Sequence, residues 1–572
     1  MKRIYKFITI CASALLIILF MSACNEKGNN VTGSMTITAT ATTLQITAKV
    51  EDKDNVVNEK SVRARYAKVD EDGTIGTYSN VTFTKIPAKN EDGSLVEETQ
   101  SAKGLSMNTT YNVILYCTIG TESKELASQR VSTTTAGQDK ENPILINTKE
   151  ELLKISDDVN AYYKLNADID LANAETKAIF SSGTSAFKGH FDGNNHKVSN
   201  FSQTTSIQYA GLFGYLDTNA VVENLTIENA KIKVSRGGTS YYGIIAGYNN
   251  GSVRHITVNN VDMDLTLSTV SQSTVQYVGA VIGHNDVAGV VSNAYATGTV
   301  KATIKSHVDM GGIVGFNNGM ISSSHSNQEL NLVYDTTAST TNVYSTNVGG
   351  LVGQTSGNVV NSIAEGNLKA TTSVTKSSSA VDQYQASNVG GLAGLVTAGT
   401  VQNNVVNESI EYTSKTAQLM NIGYLIGLCD TNLVSVSALK NNSVIFKDNK
   451  LTLDLLTEDA DWQINVANTD EETTSSESSS STSGTKKIDR VANIGLINFL
   501  KNEDGTASKF ENDFFETKNY FVYGDILITK NEINEKVTSI PYDVKEVEAG
   551  VSSYETFELP SSVNDYLASH TL

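Results

Sequence analysis

The residues able to do chemistry are few and scattered. Seven histidines, His190, His196, His255, His284, His307, His325 and His570, include no His-Glu-x-x-His pair, so the two imidazoles one helical turn apart that a zinc hydrolase needs are missing. Neither a Gly-x-Ser-x-Gly elbow nor a P-loop is present, and no pattern asks for a metal or a cofactor. Cleaving a polysaccharide takes clustered carboxylates, or a base with arginine or lysine beside it. The charged or titratable residues near the repeat strands, Asp309, Arg254 and His255, form no cluster of this kind and read as solvated loop groups. What remains is a row of tyrosines, Tyr241, Tyr277, Tyr344, Tyr384 and Tyr412. Such rings can stack on sugars, pack against a protein partner, or merely cover loop stems. No catalytic residue is assigned. The chain reads as a binding protein, with an enzyme as the alternative.

The elements that position these tyrosines repeat. Gly211-Leu212-Phe213-Gly214 is followed by Gly243-Ile244-Ile245-Ala246-Gly247, Gly279-Ala280-Val281-Ile282-Gly283 and Gly312-Ile313-Val314-Gly315. Gly350-Leu351-Val352-Gly353, Gly391-Leu392-Ala393-Gly394 and Gly423-Tyr424-Leu425-Ile426-Gly427 complete the set, and successive last glycines are 33, 36, 32, 38, 41 and 33 residues apart. After each motif comes a turn such as Asn250-Gly251 or Asn318-Gly319, then alternating apolar residues such as Val253, Ile256 and Val258. β-Branched runs between turns, with no helical period, are strands. Short strands repeating at this period stack as a parallel β-solenoid, each strand pairing with its counterpart one turn later. The glycines then mark corners or close contacts between coils, where a Cβ has no room.

These units resemble the GLUG motif, named for its Gly-Leu-x-Gly core, over about residues 140 to 440. The family occurs in bacterial surface proteins and beside the catalytic domain of metallopeptidases that cleave immunoglobulin A. The resemblance implies a right-handed β-helix and is nearly silent on activity. The zinc peptidase of those relatives has no counterpart in this sequence.

Composition narrows the partners. A net charge of −19 and a pI near 4.9 exclude the clustered basic face that nucleic acid requires. Residues 1–23 read as a signal peptide, with Lys2, Arg3 and Lys6 before the apolar run Ile8 to Met21. Met21-Ser22-Ala23-Cys24 resembles the bacterial lipobox, which implies cleavage before Cys24, lipidation of that residue, and a lipid anchor at the cell surface, in the outer membrane. Cys117 and Cys429 fall in different domains and are expected as buried thiols without a disulfide.

A tether at 24–33 should lead into a module at 34–136 in which Ile37, Leu44, Ile46, Val62, Tyr66, Phe83, Leu105, Tyr111, Val113, Leu115 and Ile119 alternate with polar residues. This is the pattern of a two-sheet β-sandwich. Leu105 to Val113 resembles the leucine-to-tyrosine corner of fibronectin type III modules, with Met107 where that family often has proline. The expected fold is therefore all-β: a fibronectin- or immunoglobulin-like sandwich followed by the β-helix.

Residues 137–200 read as an opening cap and first coils. A helix start lies at Asn147-Thr148-Lys149-Glu150-Glu151, and a helix there would shield the end of the stack. Residues 201–500 are the β-helix. Polar insertions, Ser268 to Gln276, Thr336 to Thr346, Thr371 to Ser387 and Glu411 to Met420, precede the Gly-rich strands and should emerge as loops along one flank. The Ser/Thr-rich stretch near 470–486 cannot bury apolar area and is expected as a disordered loop. Asn493-Ile494-Gly495-Leu496-Ile497 reads as an eighth Gly-rich strand, and 501–572 as an exit cap or a small β domain. The functional expectation is a surface lipoprotein whose β-helix binds a glycan or a surface protein. The alternative is a polysaccharide lyase or glycoside hydrolase.

Overall fold

The computed structural model describes residues 30–91, 93–267, 274–338, 345–376, 387–414, 419–430, 436–445, 451–455, 463–466, 491–499, 509, 520–523 and 528–531. The leader, Cys24, Tyr344, Tyr384 and the Ser/Thr-rich stretch lie outside them. The chain divides into two units, Met1–Ile144 and Leu145–Leu572.

The first unit holds antiparallel sheets of three and four strands. Leu44, Ile46, Val62, Phe83, Tyr111, Val113 and Leu115, drawn from both sheets, share one buried core, with Ile37, Tyr66, Leu105 and Ile119 packed against it. The first strand, Val31–Ala39, already begins inside the stretch expected as tether. Tyr111 reaches back so that its hydroxyl accepts from the Ser106 N–H at 2.9 Å, which ties down the Leu105 loop. Glu98 is buried and accepts from the Thr84 and Lys85 amides at 3.0 and 2.6 Å. Burial pushes its carboxyl up, but these bonds outweigh it and the group stays below the usual carboxylate range. Cys117 and Cys429 are buried free thiols, as expected.

In the second unit, parallel pairing replaces antiparallel pairing. The small helix Lys149–Leu152 opens it with the Thr148 capping box, in which the Thr148 side chain accepts from the Glu151 N–H. Each coil then supplies two short strands around a Gly-rich bend and one longer strand. The longer strands Ser252–Leu267, Val290–Ile304, His325–Ala338, Ile363–Lys376 and Val405–Ser414 stack in parallel. Inward residues such as Val253, Ile256, Val258, Met263 and Leu265 are nearly inaccessible, because alternate side chains of a strand face one side.

These long strands correct one expectation. Thr336–Ala338, Thr371–Lys376 and Glu411–Ser414 were expected in loops, yet they continue the ladder. The alternation is hard to see in the sequence because Thr372 is buried between half-exposed Thr371 and Ser373, three residues of one polar type. The central residues of the insertions lie outside the described ones. The eighth strand, Val491–Phe499, pairs with Leu419–Cys429 and aligns Gly495 with Gly423. Tyr520–Tyr523 and Ile528–Asn531 pair in parallel with Asn442–Ile445 and Leu451–Leu455, so these two strands extend the stack.

Polar ladders hold the corners. The Asn249 Nδ2 donates to Asn285 Oδ1 at 2.7 Å, Asn285 to Asn317 at 2.8 Å, and Asn317 to the Thr355 hydroxyl at 3.0 Å. All four are fully buried, and each satisfies the next, which is the condition for burying amides without loss. The expected glycine frame is also present. A Cβ on Gly350 would fall on the Gly391 carbonyl oxygen, and one on Gly391 would fall on the Tyr424 carbonyl oxygen.

Candidate functional site

The Gly-rich bend folds the outer surface of each coil back on itself. A Cβ on Gly247 would stand 2.6 Å from the Tyr241 carbonyl oxygen, and one on Gly283 would stand 2.6 Å from the Tyr242 nitrogen. Only glycine lets the strand after the bend approach the strand before it so closely. The residues two before the first glycine and one after the last are thereby brought face to face.

Coil stacking extends each position into a column. Tyr209, Tyr241 and Tyr277 align before the bend, followed by Asp309, Asn347, Asn388 and Asn421. Tyr215, Tyr248, His284 and Phe316 align after it, followed by Gln354, Leu395 and Leu428. Tyr209 stacks on Tyr241 at 4.7 Å with 10° between planes, and Tyr215 on Tyr248 at 4.4 Å and 14°. Tyr248 stacks on His284 at 4.8 Å. Across the bend the rings meet edge-on, Tyr241 to Tyr248 at 5.8 Å and Tyr277 to His284 at 4.9 Å. The seven rings form one half-buried seam.

This geometry decides what the tyrosines can do. The stacking distances are close to the spacing of paired strands, about 4.8 Å, so each inner ring spends its faces on its neighbours. Edges and hydroxyls are what the seam offers outward. Tyr241, stacked on Tyr209 and on Tyr277, has no free face for a sugar, one of the roles expected for it, whereas Tyr277 ends its column beside Asp309. Tyr412 is a further correction. Expected beside a surface loop, it is fully buried on Val405–Ser414, where its hydroxyl shares a 2.9 Å hydrogen bond with Thr372 Oγ1 and burial pushes its pKa up to about 12. It points inward because it sits an even number of residues from Ile410.

Asp286 and Asp309 lie at the seam, whereas Arg254, Glu223, His190 and His255 stand on strands of the other parallel sheet. The Tyr248 hydroxyl donates to Asp286 Oδ2, and burial together with that carboxylate holds the phenol well above its usual range. The Asp309 carboxylate, expected as a solvated loop group, is buried and accepts from Asn347 Nδ2 at 2.7 Å beside His307 Nε2 at 3.2 Å. Arg254, also expected to be solvated, donates from Nε to Glu223 Oε2 at 2.7 Å, and Glu223 Oε1 lies 2.6 Å from His190 Nε2. His255 is exposed with φ 53° and lies against Asn293. Among the described residues no group of three or more His, Cys, Asp or Glu side chains is placed to hold a metal.

Tyr209, Tyr215, Tyr248, His284 and Phe316 were missed in the sequence reading. Aligning the repeats on their glycines shows the pattern, since these residues recur at the two fixed positions flanking the motif.

Fold and seam together define an all-β repeat protein of stacked parallel coils with an aromatic strip along one surface. No family model matches the chain. It is 31% identical over 172 residues to Halomucin of Haloquadratum walsbyi and 29% identical over 127 residues to a putative Gly-rich membrane protein of Evansella cellulosilytica. The matches span 27% and 21% of this chain, but only 2% and 15% of those relatives. Among solved structures, an IgA1 Protease aligns over 71% of this chain and 30% of its own, at 12% identity and a TM-score of 0.32. Among the described residues no helix is long and apolar enough to cross a membrane.

Proposed function

We propose that the chain is a bacterial surface lipoprotein, anchored through Cys24 in the outer membrane, that binds a protein partner along its aromatic seam. In this reading the first unit is a fibronectin-like spacer, supported by the Ser106 to Tyr111 corner bond. The second unit is a right-handed β-helix of GLUG repeats, supported by seven glycine motifs in register. The name of one relative, a putative Gly-rich membrane protein, agrees with a membrane setting.

The observation that carries the binding role is the seam. Seven adjacent half-buried rings make a partly exposed aromatic strip, and aromatic side chains are enriched at interaction surfaces. A protein is the better occupant than a glycan, because ring edges and phenol hydroxyls suit a surface rich in backbone and side-chain hydrogen-bonding groups, while sugar stacking needs ring faces. Catalysis has no comparable support, since Asp309 is sealed beneath its neighbours and Glu223 is committed to Arg254 and His190.

The test is the triple variant Tyr209→Phe, Tyr241→Phe and Tyr277→Phe. It keeps every ring in the stack and removes the three hydroxyls of the column before the bend. Binding of the labelled chain to intact cells that it recognises should fall while the melting curve stays in place. Unchanged binding would remove the seam from the proposal.

A further inference from the structure

One group of buried polar atoms takes no part in the seam or the ladders. Ser326 and Gln328 point inward from the strand His325–Ala338, and Glu408 points inward from Val405–Ser414, two coils further on. Gln328, Gly366 and Glu408 are in register, and so are Ser326, Ala364 and Val406. The intervening coil therefore supplies only a glycine and a methyl group between the Gln328 amide and the Glu408 carboxylate.

Glu408 fills part of that space by leaning back one coil. A Cβ on Gly350 would fall on Glu408 Oε2, and one on Gly312 would fall on Ser326 Oγ. The carbonyl oxygens of Gly391 and Gly350 lie beside those same two points. Yet Ser326 Oγ, both amide atoms of Gln328 and both carboxylate oxygens of Glu408 are buried without a hydrogen-bond partner. Ser326 is 0% exposed, Gln328 1% and Glu408 4%. Single buried polar atoms elsewhere in the stack, such as Gln276 Oε1 and Ser306 Oγ, also lack a partner, but here five orphaned atoms from three residues converge across three successive coils, and that concentration points to a missing ligand.

We propose that Ser326, Gln328 and Glu408 form an internal binding site for a hard metal cation held by oxygen between the coils. The donor set contains one carboxylate and otherwise neutral oxygens: the Gln328 amide oxygen, the Ser326 hydroxyl and the neighbouring carbonyls of Gly350 and Gly391. It holds no thiolate or imidazole. Oxygen donors of this kind suit Ca2+, Mg2+ or Na+ rather than Zn2+. Because the ligands come from separate coils, the cation would join coils that the strand ladder alone connects only to their immediate neighbours, and its binding would add to the stability of the stack.

The experiment is metal analysis of the purified full chain, followed by melting curves after chelation and after titration with Ca2+, Mg2+ or Na+ separately. The expected result is about one bound cation per chain, a melting temperature that drops on chelation, and recovery with one of the three ions, which identifies the cation. Glu408→Gln should lose the bound metal and the response to added cation. Ser326→Ala, which removes one neutral donor and should still fold, should bind the same ion more weakly. A chain that carries no metal, melts identically with chelator and with each ion, and is matched or exceeded in stability by Glu408→Gln would overturn the site. Those results would describe a carboxylic acid kept neutral by burial. Should Glu408→Gln fail to fold, metal content and Ser326→Ala decide the matter.

Discussion

Acidifying the protein from neutral pH to pH 4 should loosen the coil stack through one imidazole. The His284 ring lies between Tyr248 and Phe316 at 4.8 and 4.9 Å, its Nδ1 is buried without a partner, and its side chain is 13% exposed. Burial disfavours the charged form and lowers its pKa from 6.5 to about 4, although Asp286 and Asp309 pull the other way. The nearest carboxylate oxygen, on Asp286, is 4.0 Å away. A proton then binds the unfolded chain more tightly than the folded one. The stability this imidazole protects is complete above about pH 6.5, declines as the pH falls toward 4, and declines no further below that. At about 1.4 kcal/mol per pH unit the full loss is about 3 kcal/mol. His284→Phe keeps an aromatic ring in the seam and removes the titration. Urea unfolding of both proteins, followed by far-ultraviolet circular dichroism across this range, isolates the histidine from the many carboxylates, which titrate in both. The wild-type curve should fall toward that of the variant, or cross it, between pH 6.5 and 4. Parallel curves over that interval, or an NMR titration of His284 centred near 6.5, would refute the reasoning.

Three further outcomes follow from packing and hydrogen bonding. Gly391→Val drives a side chain into the Tyr424 carbonyl and Val406 and should cost about 1–3 kcal/mol or more. Val287→Ser at a 74% exposed site should stay within about 0.5 kcal/mol, so similar melting shifts for the two would discredit the glycine frame. Asn285→Leu strands the Asn249 and Asn317 amides of the buried ladder and should lower stability by about 1–3 kcal/mol for each group left unpaired, read from chemical denaturation. In the first unit, the stability that Glu98 contributes should be present above about pH 4.5 and be lost as the pH falls through its lowered folded pKa. Glu98→Gln should flatten that acid limb in unfolding curves of the isolated unit or of the full chain.

Much of the fold was legible because the repeat carries its own punctuation. Glycines at fixed offsets and β-branched alternation specify coils, and the helix start at Asn147 to Glu151 announced the opening helix. The long strands were harder to read. Where Thr and Ser stand on both faces, as in Thr371–Ser373, polarity no longer separates inside from outside, and a paired strand looks like a loop. The same ambiguity misplaced Tyr412, whose direction depends on strand phase rather than on residue type. The seam was half legible: Tyr241 and Tyr277 stood out as tyrosines, but their partners His284 and Phe316 differ in type and emerge only from repeat position. The polar group at Ser326, Gln328 and Glu408 had no local sign at all, because register across three coils assembles it.

The most direct test of the binding role is to probe the purified chain against an array carrying both bacterial and host surface proteins and a broad set of glycans, alongside the three-site Tyr→Phe variant. The account predicts binding to at least one protein, loss of that binding in the variant, and no release of reducing ends or unsaturated sugars from the glycans. Binding confined to glycans, or sustained cleavage of any of them, would contradict it.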